Sequence, residues 1–339
     1  MRRLTITLTI TATLLLVLGS ASSQAAMKLG LEDESVFVSG NPMVSSLEGY
    51  LMLNDLGVKT MRILITQASV QSGSSFDFTS YQNTIAAAKA NGITVQIVLV
   101  GKYPRPNYRS WAQFAQAAGA AFKGQLASYS IWNEPNLNAW IKGSNKGAIY
   151  RKLYTTAYKA IRKGDSSARI LMGETAPFVS RSPGIAPLKF LRQLACVDNN
   201  YRPLRGKRCP ALRSNGYAHH PYDLDRAPRR SNRGADSATI GTLRNLTRAL
   251  RKLRGRLKGT SSLYLTEFGY ASQGPHAISE SKRATYIKQA YSIARHTHGV
   301  KELVQYLLIN SSADRFPTGL LTPSAQQTPA YAALKAANR

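Results

Sequence analysis

The feature that most constrains this chain is a repeated alternation of short apolar runs with longer helical ones. Eight candidate strands can be counted: Lys28–Glu32, Thr60–Thr66, Thr94–Val100, Ala127–Trp132, Arg169–Gly173, Gly216–His219, Ser262–Thr266 and Val304–Ile309. Most are short and rich in Val, Ile, Leu or Tyr, as strands buried on both faces should be. Helical stretches separate them. Ser46 to Leu56 stops at Gly57, Phe76 to Ala90 runs into Asn91-Gly92, and Tyr108 to Phe122 is Ala-rich. Asn145 to Lys163, Pro187 to Ala195, Asp236 to Leu257, Ser279 to His298 and Thr328 to Ala337 follow. Glycine after a periodic run ends a helix, and Pro329 suits a first turn. Eight strands alternating with eight helices predict an α/β fold, a single-domain (β/α)8 TIM barrel. A doubly wound open sheet is the competing arrangement. It would bind its ligand at a topological switch point. No Gly-rich phosphate loop opens the first helix, where Gly40-Asn41-Pro42 stands instead.

The first 26 residues read as a secretory signal peptide. Arg2 and Arg3 are followed by apolar Leu4 to Leu18 and by small residues from Gly19 to Ala26. The apolar run is short for a membrane span of about 20 residues, although an N-terminal anchor is the alternative. Residues 27–339 then form one domain, and no later run is long enough for stable membrane insertion. The expected location is secreted, either extracellular or in the cell envelope. Export permits a disulfide between Cys196 and Cys209, whose intervening stretch is loop-like, with Asn199, Asn200, Pro203 and Gly206. No further cysteine or His-x-x-x-His pattern completes a zinc ligand set. Neither a metal nor an organic cofactor is expected.

The chain carries 45 basic residues against 17 acidic ones, a net charge of +28. The excess is concentrated between Arg202 and Lys258, where the only acids are Asp223, Asp225 and Asp236. Such charge can attract an acidic glycan or an anionic envelope, or it can be a solvated arginine-rich helix face. Aromatics are not interleaved with the basic run as a single-strand nucleic-acid platform requires, so no nucleic-acid partner is expected.

Two glutamates stand out among the eight in the chain: Glu134 in Ile131-Trp132-Asn133-Glu134-Pro135-Asn136 and Glu267 in Leu265-Thr266-Glu267-Phe268-Gly269-Tyr270. On the predicted barrel they lie just past strands four and seven, on the C-terminal rim where barrel enzymes keep their active sites. From opposing walls, a carboxylic acid and a carboxylate can cleave a glycosidic bond. Glu32, Asp33 and Glu174 also lie near strand ends, as sugar ligands or as structural pairs. His219 and His220 are adjacent on an extended segment and point opposite ways, so only one should face the cleft.

These phrases, together with Ala218-His219-His220-Pro221-Tyr222, resemble the retaining (β/α)8 glycoside hydrolases of clan A, most closely family 5 cellulase-type and family 39-like members. The resemblance implies an exported enzyme acting on a carbohydrate by double displacement. It makes Glu134 the acid/base and Glu267 the nucleophile. It gives Asn133 a hydrogen bond to the sugar 2-hydroxyl and makes Arg62 the support of the nucleophile. His220 and Tyr222 become a His-x-Tyr pair whose tyrosine touches the nucleophile. Repulsion between the two carboxylates vanishes once Glu267 is esterified, so one residue can serve as acid and then as base. Trp140 follows the acid/base loop, either stacking on a sugar or simply packed, and Lys102-Tyr103 has a similar status. Strand eight departs from the pattern: Val304-Gln305-Tyr306-Leu307 has no tryptophan, so Gln305 or Tyr306 takes that position. Two other functions remain open on this reading. One is a transglycosylase on the same scaffold, the other a non-catalytic glycan-binding barrel at the cell envelope.

Overall fold

The computed structural model describes residues 27–104, 106–179, 183–206, 209–230, 233–311 and 316–339. The signal-peptide reading of residues 1–26 therefore lies outside the described residues. Eight parallel strands close into a barrel: β1 (Lys28–Glu32), β2 (Thr60–Thr66), β3 (Thr94–Val100), β4 (Ser128–Ile131), β5 (Ile170–Thr175), β6 (Tyr217–His219), β7 (Leu263–Phe268) and β8 (Val300–Tyr306). Each pairs with its neighbours in sequence, and β8 closes the ring on β1. Closure excludes the open doubly wound sheet.

Among the described residues, eight helices of nine residues or more surround the strands, besides a single turn at Gln67–Val70: α1 (Ser46–Leu56), α2 (Thr79–Ala90), α3 (Tyr108–Ala121), α4 (Lys146–Gly164), α5 (Pro187–Ala195), α6 (Leu243–Leu253), α7 (Glu280–His296) and α8 (Pro329–Asn338). Local chemistry sets their ends. The Ser45 side chain accepts from the Glu48 amide while Glu48 reaches back to Ser45, a capping box that starts α1. Gly57 ends that helix at φ +73°, a left-handed position that favours glycine. Between α3 and α4 the backbones meet so closely that a Cβ on Gly119 would lie 2.7 Å from the Ile161 carbonyl oxygen.

Period-2 alternation sorts the strand side chains. In β2, Met61, Ile63 and Ile65 are buried in the apolar core. Arg62 lies between them on the opposite face and points into the barrel. Register places Glu32, Arg62 and Gln96 side by side on β1, β2 and β3. A polar layer thus crosses the barrel just below its C-terminal mouth.

Two elements differ from expectation in ways that matter. The last strand runs from Val300 to Tyr306 rather than from Val304 to Ile309. Lys301 and Glu302 give this stretch the look of a turn, yet Glu302 is buried, and burial pushes its carboxyl up to about 7. The helix expected from Asp236 to Leu257 is confined to Leu243–Leu253. Asp236 is instead ion-paired with Arg192, and Leu257–Lys258 pairs as a short parallel strand with Leu212–Arg213.

Cys196 and Cys209 form the expected disulfide, with their Cα atoms 6.2 Å apart. It closes the loop between α5 and β6. Replacing both cysteines with serine is expected to lower stability by about 3 kcal/mol on the chain-entropy account. Urea unfolding should show a lower midpoint, with a slope no smaller than before because the unfolded chain is less constrained.

Candidate active site

A cleft of about 790 Å³ opens at the C-terminal mouth of the barrel. Glu32, Asn133, Glu134, Tyr222, Glu267 and Tyr306 line it, with Trp140 and Phe316 on its walls. The expected pair of glutamates is thereby brought to one cavity from β4 and β7.

Each glutamate sits on irregular backbone. The chain leaves β4 through Trp132 at φ 68° and Glu134 at φ 36°, both non-glycine residues in the left-handed region. Such strain gathers at functional sites, where surrounding structure must hold it. The buried Trp132 indole helps by donating to the Trp140 carbonyl at 3.2 Å. On β7, the residues from Leu265 to Phe268 face only those from Leu303 to Gln305 on β8, which is a bulge. Bulges re-aim side chains, and this one carries Glu267 within the strand rather than past it, where the sequence pattern puts it. A second bulge, between Met172 and Thr175 against β6, surrounds Glu174. Gly173 at φ +132° allows it, since a Cβ there would lie 2.1 Å from the Ala218 carbonyl oxygen.

Arg62 is the hub. It is fully buried, and its Nη1 donates to Glu32. Its Nη2 contacts Asn133 Oδ1 at 2.9 Å, Glu174 Oε2 at 2.6 Å and Glu267 Oε1 at 3.0 Å. Burial works against the guanidinium charge, but Glu174, Glu32 and Glu267 together raise its pKa well above the usual value. Burial would likewise raise Glu174, yet Arg62 and His220 outweigh it and hold that carboxyl at about 2. Glu32 goes the other way. Its contact with Arg62 favours the ionised form, but burial is stronger, with repulsion from Glu34, Glu267 and Glu174 added to it. Burial also raises Glu267, with His220 and Arg62 pulling against it. Arg62 thus acts on Glu267 in the expected direction without setting the net shift.

His220 links the carboxylates. Its Nδ1 lies 3.3 Å from Glu134 Oε1 and 3.4 Å from Glu267 Oε2, and its Nε2 lies 3.4 Å from Glu174 Oε2. Burial alone would lower its pKa, but Glu267, Glu134 and Glu174 raise it to about 9. His219 points outward as alternation requires. It sits between Thr175 Oγ1 and the Ala238 carbonyl, and burial lowers its pKa to about 3. Tyr222 donates to Glu267 Oε2 at 3.1 Å. The side chains of Glu134 and Glu267 remain 18% and 13% exposed, enough to meet a ligand. Asn133 Oδ1 accepts from Arg62, and its two amide N–H groups are left to serve a sugar hydroxyl.

Of the residues expected to bind substrate, Arg62 and His220 are fully buried beneath the cleft and reach it only through the glutamates, and Gln305 is turned away from it altogether. Its amide donates to the Tyr306 and Thr318 carbonyls, and it faces Leu29, Phe268 and Leu334 behind the barrel wall. Tyr306, the other candidate, lines the cleft. Trp140 lines the cleft, with Tyr103 beside it at 4.9 Å between ring centroids. Glu32 and Glu174 belong to the Arg62 cluster, whereas Asp33 accepts from the Ile309 amide and is structural. Glu34 and Phe316 also line the cleft, without any local sequence signal to mark them. Among the described residues, no group of three or more His, Cys, Asp or Glu could hold a metal ion.

Solved structures with this fold include a family 39 glycoside hydrolase from Bacteroides cellulosilyticus. It aligns at a TM-score of 0.66 with 16% identity, over 92% of this chain and 63% of its own. This chain therefore spans less than two thirds of that neighbour's length. A glucosidase from Croceicoccus marinus aligns at 0.66 with 12% identity, over 92% of this chain and 68% of its own. A thermostable mutant of a xylanase from Cellvibrio japonicus aligns at 0.59 with 14% identity, over 93% and 99%. The likeness establishes the (β/α)8 barrel as the fold. No protein-family model matches the chain, and no curated protein matches it.

The His220 environment has a pH signature. Its pKa rises from 6.5 to about 9 on folding. Its contribution to stability is therefore fully present below about pH 6.5 and lost as pH rises through about 9. Denaturant titrations from pH 6 to pH 10 should show this fall in the natural protein, and His220→Gln should flatten it. An unchanged slope in the variant would mean that His220 is not the titrating group.

Proposed function

We propose that this protein is an exported glycoside hydrolase that cleaves O-glycosidic bonds of a poly- or oligosaccharide with retention of configuration. One observation carries the reading: Glu134 and Glu267 both approach the same nitrogen, His220 Nδ1, at 3.3 Å and 3.4 Å. The two legs together, 6.7 Å, are the greatest distance that can separate those two carboxylate oxygens. Direct attack by water needs roughly 6.5–9.5 Å between carboxyl groups, and double displacement roughly 5–5.5 Å. The site therefore favours double displacement.

The residues divide the work as follows. Glu267 attacks the anomeric carbon while Glu134 gives its proton to the departing glycosidic oxygen. Arg62 and Tyr222 hold the Glu267 oxygens in place for that attack. The first half-reaction leaves a sugar ester on Glu267 and an ionised Glu134. Water enters, Glu134 takes its proton, and the ester carbon–oxygen bond breaks to free the sugar and regenerate both groups. The known activities of the neighbours, on glucosides and xylans, make a neutral sugar the first choice for the catalytic subsite. Trp140 and Tyr103 form an aromatic wall suited to stacking on a sugar ring.

Replacement separates the two roles. Glu134→Gln should lose roughly 10²–10⁴-fold on natural glycosides. On an aryl glycoside with a good leaving group, its first step should suffer less. Glu267→Gln should abolish turnover on both. Equal losses for both variants on both substrates, measured by initial rates, would remove the assignment.

Stereochemistry tests the mechanism independently. Proton NMR at early times should show a first-formed sugar with the anomeric configuration of the substrate. An inverted first product would rule out double displacement at this site.

A further inference from the structure

The second large cavity lies at the opposite end of the barrel. It holds about 650 Å³ and runs between α6 and α7, toward the loop that enters β7. These two helices make little contact with each other, whereas α3 packs closely on α4 and α7 on α8. Arg244, Arg251 and Arg254 line the gap, joined by His296 and His298. Leu250, Leu257 and Leu263 form an apolar floor, and Thr247, Thr260 and Ser261 add hydroxyls. No Asp or Glu lines it among the described residues. The acids that flank these segments in sequence are engaged elsewhere: Asp236 by Arg192, Glu280 by Arg283 and Glu267 by Arg62, while Glu302 is buried inside the barrel.

Helix stability does not account for this charge. A cation in the last turn of a helix is favourable, which suits Arg251. Arg244, however, is the second residue of α6, where the helix dipole disfavours a cation. Arg244 and Arg248, and then Arg248 and Lys252, repel each other at i,i+4 spacing on a helix that has no acidic residue. On its α5 side, α6 faces Asp236 and Tyr201. On its α7 side, nothing among the described residues offsets the charge.

We infer that this basal cavity is a binding site for an anionic polysaccharide bearing carboxylate groups, separate from the catalytic cleft. The cavity falls in the size range that encloses a small organic ligand, larger than an inorganic ion needs. Guanidinium groups at the edge match carboxylates in bidentate geometry. Thr247 and Ser261 at its rim can meet the edge of a sugar ring. Bound there, an acidic polymer would hold the protein by its base and leave the cleft at the other end open. The inference does not depend on the catalytic reading, because binding is measured directly.

The probe is a galacturonic-acid hexamer, titrated calorimetrically in about 0.15 M salt, where the screening length is about 8 Å. The triple variant Arg244→Gln, Arg251→Gln, Arg254→Gln should bind about tenfold more weakly or worse, having lost three charge-assisted contacts. A control variant removes the same charge from exposed positions elsewhere: Lys123→Gln, Lys159→Gln, Lys163→Gln. It should bind like the natural protein. Circular dichroism should be unchanged in both, as should activity on a small neutral aryl glycoside. Equal weakening in the two variants would reduce the effect to the overall +28 charge and overturn the proposal. So would undiminished binding by the first variant. Equally tight binding of polyphosphate of matched charge would overturn the assignment to a sugar polymer.

Discussion

A buried guanidinium holds the centre of this protein together. Arg62 on β2 touches Glu32 from β1, Asn133 beyond β4, Glu174 from β5 and Glu267 from β7. An unpaired guanidinium would be very costly in such a place, and so would each of these carboxylates without it. The cluster persists because its opposite charges face one another, although Arg62 Nε finds no hydrogen-bond partner. The result is a polar plug, fixed from several strands at once, on which the cleft residues rest.

That arrangement explains why the backbone is irregular just where the chemistry lies. A regular strand would carry Glu174 and Glu267 along the pleat, with no freedom to meet one arginine and one histidine. The bulges on β5 and β7 supply that freedom, and the left-handed turn through Trp132 and Glu134 does the same after β4. The strain is supported by dense packing behind it: Trp132 lies edge-on to Trp111 at 5.4 Å and is wholly buried.

Charge is divided between the interior and the exterior. The mouth of the barrel gathers Glu32, Glu34, Glu134 and Glu267 around the cleft, although the chain as a whole is strongly basic. The positive excess lies on helices and loops outside the barrel, including the α6 face that forms the basal cavity. Overall charge is therefore a poor guide to what enters the catalytic cleft and a better guide to what meets the outer surface.

Much of this was legible in the residues themselves. Strand runs such as Thr94–Val100 are apolar on both faces, and their regular spacing counts out a barrel. Glu134 and Glu267 close such runs in distinctive phrases, and the alternation at His219-His220 allows only one ring to face inward. Where local pattern and burial disagree, the sequence misleads. Lys301 and Glu302 look like a turn but belong to β8, because the carboxyl of Glu302 is turned into the barrel. That shift decides between Gln305 and Tyr306, which no one-dimensional pattern can do. The roles of Glu32, Glu174 and Glu34 also depend on closure of the ring, since their partners lie on distant strands. Sequence alone determined the order of the elements and the identity of the two central glutamates, because periodicity and short motifs are local properties. Only the tertiary structure decided which carboxylates share Arg62 and His220, because distances across a closed barrel are not local.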